Sequence, residues 1–327
     1  MIKTRKIIEA SNTTKECFNI LTFPTHERYE TQLCKTGHNF YSFVMPNQKT
    51  WNIDQTPLPI NYFPTPAGKL LDYIDFDFIL VQSKFWQYQV AHKINQYLKL
   101  PVIVLEHTLP VITQSTEQID AMKTMLGDIN VFISEYSQRQ WGIHKNVEII
   151  YHGIDTQLFK DYEQERDNKV LSVANNFINR DYCLNFSGWS RITENLDVTL
   201  IGDNVGLSQA AKSAEELVDS YNRHSIFLNT STHSPIPMSL LEAMSCGCAI
   251  VSTATCMIPE IITNGENGFI SNNEEDLKNH IHYLLSHPEK AKSMGKNARQ
   301  TILEKFNEDS FIQQWQNIFH RIGDILV

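Results

Sequence analysis

Ser234-Pro235-Ile236-Pro237-Met238-Ser239-Leu240-Leu241-Glu242-Ala243-Met244-Ser245-Cys246-Gly247-Cys248-Ala249-Ile250-Val251 reads as a loop, a short helix and a strand in immediate succession. The loop is polar and proline-rich, and Pro237 suits the start of a helix. Met238–Ser245 follows with helix-forming residues, Gly247 breaks the run, and Ala249–Ser252 is apolar and strand-like. A loop entering a helix in this way exposes backbone N–H groups, and helix N-termini attract anionic ligands.

Outward from this stretch the same alternation recurs. Towards the C-terminus, Gly268–Ile270 is a further short strand, and Glu274–Ser286 and Pro288–Phe306 have helical patterning. Towards the N-terminus lie strands at Ser225–Asn229, Asp197–Ile201 and Val170–Ala174, with a helix near Ser213–Tyr221. The polar stretch Gly153–Lys169 interrupts the pattern and marks a domain boundary. Before it, strands are predicted at Phe18–Phe23, Asn39–Val44, Pro59–Phe63, Phe78–Gln82, Pro101–Leu105, Val131–Ser134 and Val147–Tyr151, with helices at Arg28–Lys35 and Phe85–Leu98. Continuous apolar runs suit parallel strands covered on both faces. Strand–helix alternation of this density predicts α/β architecture with two tandem doubly wound domains. The predicted domains are 1–155 and 156–306. Apolar residues at helical spacing in Asp309–Leu326 (Phe311, Trp315, Ile318, Phe319, Ile322) add a C-terminal helix. Ligands in such domains bind at the carboxyl ends of the strands, which predicts a cleft between the two sheets.

Bulk properties exclude several classes. The chain has 327 residues, 42% apolar and 20% charged, as in an ordinary globular protein. It has no run of 18 apolar residues, and Met1–Glu9 lacks the apolar core of a signal peptide, so a cytoplasmic location is expected. The six cysteines fit no zinc spacing. Residues 1–155 hold 14 Lys/Arg and 15 Asp/Glu; the remainder holds 14 and 22, so eight of the nine net negative charges sit there. Nothing in that balance supports a general polyanion binder. Asp75-Phe76-Asp77 has an Asp-x-Asp spacing that can hold a metal, but it precedes the strand Phe78–Gln82 at its N-terminal end, away from the expected ligand side. It reads as structural, and no metal is required.

Several stretches together resemble the family 4 glycosyltransferases of GT-B fold. Leu33–His38 looks like the end of the family's first helix, and Leu105-Glu106-His107-Thr108-Leu109-Pro110 like the strand and loop carrying its active-site histidine. Tyr151–Phe159 looks like the domain linker, with His152 in place of the usual Asn. Val198–Asp203 resembles a strand with the family's glycine turn at Gly202. Ser234–Val251 resembles the donor motif, in which two glutamates lie eight residues apart, and Ile258–Phe269 the segment after it. Here Glu242 is the second glutamate and Ser234 replaces the first.

The resemblance implies a nucleotide-sugar donor, UDP- or GDP-linked, as substrate, with no cofactor required. It implies His107, Arg180 and Glu242 as the catalytic set. The family places a Gly, an Arg and a Lys after the first strand of the second domain, the Lys six residues beyond the Gly. These positions are Ala174, Asn175 and Arg180 here, so Arg180 becomes the cation for the diphosphate and Asn175 a substrate-side residue without charge. Glu242 is expected to hold the ribose hydroxyls; its rival role is a capping box with Ser239. Ser234 faces the donor sugar, and Met238, Ser239 and Leu240 offer backbone N–H groups to phosphate or sugar. Pro235 and Pro237 stand where the family has glycines and donate no N–H. His26 follows the first strand and faces the ligand side by the same topological argument.

The implied reaction is glycosyl transfer with retained anomeric configuration. Two rivals remain: an epimerase or hydrolase acting on the same donor, and a catalytically degenerate protein that binds a nucleotide sugar or a partner. The acceptor stays open among a lipid-linked sugar, a protein, a small molecule and a modified nucleic-acid base.

Overall fold

The computed structural model describes residues 16–48, 51–53, 56–111 and 113–324. The segment Met1–Glu9 and the last residues of the C-terminal tail lie outside these. The chain separates into two compact units, one of residues 1–133, 138–150 and 309–327, the other of residues 134–137 and 151–308.

The first unit is built on seven strands: β1 (Asn19–Thr22), β2 (Asn39–Ser42), β3 (Tyr62–Pro64), β4 (Phe78–Val81), β5 (Val102–Glu106), β6 (Ile129–Phe132) and β7 (Val147–Ile149). Their order is β3-β2-β1-β4-β5-β6-β7, and every pairing is parallel. Helices α1 (Glu27–Cys34), α2 (Trp86–Leu98), α3 (Thr116–Lys123) and α4 (Glu135–Trp141) connect them. All four residues of β4 are fully buried, as a strand covered on both faces requires. Strand order reverses between β1 and β4, and in sheets of this kind ligands bind at the carboxyl ends beside such a reversal, here near Thr22 and Gln82.

The second unit has five parallel strands, β8 (Asp167–Val173), β9 (Val198–Ile201), β10 (His224–Asn229), β11 (Ala249–Ser252) and β12 (Phe269–Ile270), in the order β12-β11-β10-β8-β9. Its reversal lies between β8 and β10. A 3-10 turn (Ile178–Arg180) leads into α5 (Asp181–Leu184), followed by α6 (Phe186–Ile192), α7 (Ala214–Arg223), α8 (Met238–Ser245), α9 (Ile258–Ile261), α10 (Glu274–Ser286) and α11 (Pro288–Lys305). Val170, Ile226, Leu228, Val251, Ile281 and Met294 form the centre of the core. β8 begins earlier than its apolar run, because Asp167 pairs with His224 through the backbone although its side chain is exposed.

The last helix, α12 (Glu308–Asp324), returns to the first unit. Its buried Phe319 stacks on Phe78 at 5.4 Å, and Trp315 Nε1 donates to the Tyr29 hydroxyl at 3.2 Å.

One close approach fixes the element that carries the donor-type motif. A Cβ added to Gly295, in mid α11, would lie 2.0 Å from the Gly247 carbonyl oxygen and 2.8 Å from its carbon. Both are backbone atoms at the end of α8, so neither can rotate away. Gly295→Ala gains about 1 kcal/mol of helix propensity and loses roughly 3 kcal/mol to overpacking. The expected net loss is about 2 kcal/mol, read as a lower denaturant midpoint for the second unit. Unchanged or raised stability would contradict the backbone contact.

Candidate functional site

In the second unit the site grows from the carboxyl ends of β8 and β10. The turn after β8 is held by a lattice of side chain to backbone bonds. Asn175 Oδ1 accepts from the Asp203 N–H at 2.8 Å, Asn204 Oδ1 from the Phe177 N–H at 2.6 Å, and Asn204 Nδ2 donates to the Ala174 carbonyl at 2.8 Å. Gly202 has φ of +144°, and a Cβ there would sit 1.8 Å from the Ala174 oxygen, so only glycine lets the two turns meet. This lattice sets the turn that presents Arg180. The guanidinium is exposed and makes no salt bridge among the described residues. Asp181 is occupied by the N–H and hydroxyl of Ser187, both at 2.8 Å, rather than by Arg180.

The Arg180 turn and the Ser234 loop are joined at one atom. The Cys183 carbonyl accepts from the N–H groups of both Thr232 (2.9 Å) and His233 (3.1 Å). Cys183 Sγ in turn contacts the Arg180 carbonyl at 3.5 Å. The Arg180 turn is thereby tied to the loop that carries the half-buried Ser234 and leads into α8. Beneath it lies a neutral network at the ends of β10 and β11. Asn229 Nδ2 donates to Ser252 Oγ at 2.8 Å, Ser231 Oγ to Asn229 Oδ1 at 2.8 Å, and Thr253 and Thr255 hydroxyls to the Ser231 carbonyl at 2.5 and 2.7 Å.

α8 starts two residues earlier than a Ser239 capping box requires. Pro237 is the N-cap and makes no side-chain cap bond. The box with Glu242 is therefore absent. The N–H groups of Met238 and Ser239 have no acceptor among the described residues. Leu240 departs from expectation: it is buried and its N–H already donates to the Pro237 carbonyl at 3.1 Å, so it is not an open donor. The other end of α8 is closed by two arginines, Arg166 on the Cys246 carbonyl and Arg299 on the Ser245 carbonyl, where cations complement the helix dipole. Neither arginine was singled out from the sequence. Burial pushes the neighbouring Cys248 thiol up to about 11, which keeps it protonated.

Glu242 is 1% exposed, and its Oε2 accepts from the Tyr221 hydroxyl at 2.9 Å. A ribose hydroxyl reaches a carboxylate this enclosed only after local rearrangement. That is a cost which the sequence-based expectation for Glu242 did not include. Asn175 is likewise committed through Oδ1 to the turn, so it serves first as a brace.

In the first unit, His26 is the N-cap residue of α1, exposed and without a side-chain cap bond. His107 follows β5, with its Nε2 3.3 Å from Gln82 Oε1 and its ring edge-on to Tyr29 at 4.6 Å. Its neighbours are pinned: Glu106 accepts from the Thr108 N–H at 2.9 Å and hydroxyl at 2.7 Å, and from the Lys84 N–H at 3.3 Å. Burial raises the Glu106 carboxyl and brings the fully buried Lys84 down to about 8. Gln82 also donates to Glu30 Oε1 at 2.7 Å, and burial pushes Glu30 up to about 8, so it is protonated at neutral pH. From the sequence Gln82 reads only as a strand end and Glu30 only as a first-turn acid of the helix; nothing there pairs them. Asp77 lies at the opposite strand ends, accepting from the Asn19 N–H at 2.7 Å. No group of three His, Cys, Asp or Glu among the described residues forms a metal cluster.

Residues 190–301 match the family model described as glycosyl transferases group 1. That segment, about a third of the chain, lies within the second unit and is similar to the group 1 glycosyl transferases. The first of the curated relatives, N-acetyl-alpha-D-glucosaminyl L-malate synthase of Bacillus anthracis, is 23% identical over 209 residues, 55% of this chain and 55% of that protein. The match thus spans about half the length of that relative. Among solved structures, sucrose-phosphate synthase from Thermosynechococcus elongatus has a TM-score of 0.74 at 14% identity, covering 94% of this chain and 100% of that one. Anabaena HepE in complex with UDP and glucose has a TM-score of 0.75 at 14% identity, covering 92% and 99%. At this identity the likeness is one of fold: two parallel-sheet α/β units of GT-B type.

Proposed function

We propose that the protein is a glycosyltransferase that moves a sugar from a nucleoside-diphosphate sugar to an acceptor, with retained configuration and without a metal. The observation that carries this reading is the corner formed by Arg180, the Ser234 loop and the α8 N-terminus. It ties the turn carrying Arg180, a cation without a salt bridge among the described residues, to the loop that leads into two open backbone donors. Transfer requires stabilising the charge that builds on the leaving diphosphate, and preorganised donors of this kind supply it. The HepE structure in complex with UDP-glucose supports a UDP donor over a GDP one. Ser234, neutral and short where the resembled family has a carboxylate, takes the sugar side. The departing phosphate oxygen accepts the acceptor's proton, so no carboxylate nucleophile is needed. Glu242 holds the ribose once its surroundings relax, His107 and His26 act from the first unit, and the protein works in the cytoplasm.

A thermal-shift screen against UDP- and GDP-sugars tests the reading. A UDP-sugar at 100 times its Kd should stabilise the chain by about 2.7 kcal/mol, and Arg180→Ala should reduce that shift in part. Binding that is unaffected by both Arg180→Ala and Glu242→Ala would remove this donor site. Turnover of donor without acceptor would instead favour an epimerase or hydrolase. Binding with no turnover against a broad acceptor panel would favour a degenerate binder, as the neutral Asn175 and Ser234 allow.

A further inference from the structure

Gln82 stands at the reversal point of the first sheet, directly after β4, and is 2% exposed. Its side-chain nitrogen lies 3.1 Å from Thr22 Oγ1, 3.1 Å from the Phe23 carbonyl and 2.7 Å from Glu30 Oε1. Its side-chain oxygen lies 3.3 Å from His107 Nε2. The Gln82 backbone N–H is held by Gln87 Oε1 at 3.0 Å, and Gln87 Nε2 donates to the Pro24 carbonyl at 3.0 Å, so the residue is braced from behind.

We propose that Gln82 is a positioning residue that fixes His107 in the Nε2–H tautomer, which makes Nδ1 the basic atom of the ring. The argument has two steps. A backbone carbonyl only accepts, so the amide nitrogen must face the Phe23 oxygen; the flipped amide would set two acceptor oxygens 3.1 Å apart in a buried site. That leaves Oε1 towards His107. An amide oxygen also only accepts, so Nε2 must carry the hydrogen; a bare Nε2 would set two lone pairs against each other. The edge-on contact with Tyr29, whose hydroxyl receives the Trp315 N–H, holds the ring plane while the amide selects the tautomer. Thr108, clamped by Glu106, fixes the chain on the other side.

The consequence for ligand recognition rests on the proposed donor reading. If His107 meets the sugar, Nδ1 takes a hydrogen from a hydroxyl, and a substrate whose group at that point only accepts is disfavoured. This is a specificity device made of residues from β1, α1 and the β4 and β5 loops.

The tautomer can be read without any substrate. The full chain is labelled with ¹⁵N-histidine, and long-range ¹H–¹⁵N correlations are recorded at pH 8, with His107→Gln identifying the His107 signals. One protonated nitrogen at Nε2 and one unprotonated at Nδ1 are expected. Gln82→Met, similar in volume, should replace the single pattern by exchange between both tautomers, while Thr22→Val should leave it intact. An Nδ1–H ring, a doubly protonated ring at pH 8, or the same single pattern in Gln82→Met overturns the proposal. If Gln82→Met does not fold, the wild-type spectrum still decides. Failure of the donor screen leaves this outcome unchanged, and a wrong tautomer leaves the donor screen unchanged.

Discussion

Arg180→Ala should lower kcat by roughly 10²–10³-fold, the loss seen when one preorganised stabiliser of transition-state charge is removed. The effect should fall on kcat more than on KM, because the diphosphate gains most of its charge as the glycosidic bond breaks. Arg180→Lys should fall between the two: it keeps the charge but loses the planar fork that grips two phosphate oxygens. Folding should be nearly unaffected, within about 0.5 kcal/mol, since the side chain is exposed and has no carboxylate partner among the described residues. This separates the variant from a change in the turn itself. Asn204→Ala removes the bonds to the Phe177 N–H and the Ala174 carbonyl, so it should cost both stability and activity. The measurement is steady-state kinetics with a donor found in the binding screen. An Arg180→Ala enzyme with wild-type kcat would show that the diphosphate charge is met elsewhere.

Most strands of both sheets were legible through short apolar runs, such as Phe78–Val81 in the first unit and Ala249-Ile250-Val251 in the second. Helices whose faces are mixed were not. Phe186–Ile192 contains Ser187, Gly188 and Ser190, and starts only because Asn185, itself left-handed, caps it through the Gly188 N–H at 3.1 Å. Thr116–Lys123 was passed over in a polar stretch, although Ser115 and Gln118 form a complete capping box there. The spacing Ser239-x-x-Glu242 left a capping box open as a rival to ribose binding, and a helix capped at Pro237, two residues before Ser239, does not form it. The supports of the site were invisible for a different reason. Gln82 meets Glu30 across 52 residues, Arg299 meets Ser245 across 54, and Tyr221 meets Glu242 across 21. A single sequence carries the donors and acceptors but not which pairs the fold brings together.

Glu30 gives the largest expected change in stability. Its ordinary pKa of 4.5 is pushed up to about 8, first by burial, against the lowering effect of the Gln82 bond. In the folded chain it therefore keeps its proton through neutrality, while the unfolded chain releases it above about 4.5. The folded state binds more protons between these values, so stability falls as pH rises through that window. Below about 4.5 the contribution is fully present; above about 8 both states are ionised and no further loss accrues. Each unit of the window costs up to about 1.4 kcal/mol, so wild type should lose roughly 3 kcal/mol between pH 5 and 8 through this group. Glu30→Gln removes the titration. It keeps an acceptor for Gln82 Nε2 and nearly the same side-chain volume. The variant should be close to wild type at pH 5 and more stable by roughly 3 kcal/mol at pH 8. His38, held down to about 4 by burial, and Lys84, brought down to about 8, titrate in both proteins, so they cancel in the comparison. Denaturant midpoints of the two proteins at pH 5 and 8 measure the difference. Equal pH slopes would mean that Glu30 is ionised in the folded state. The Gln82 amide would then face a full negative charge at the reversal point of the first sheet.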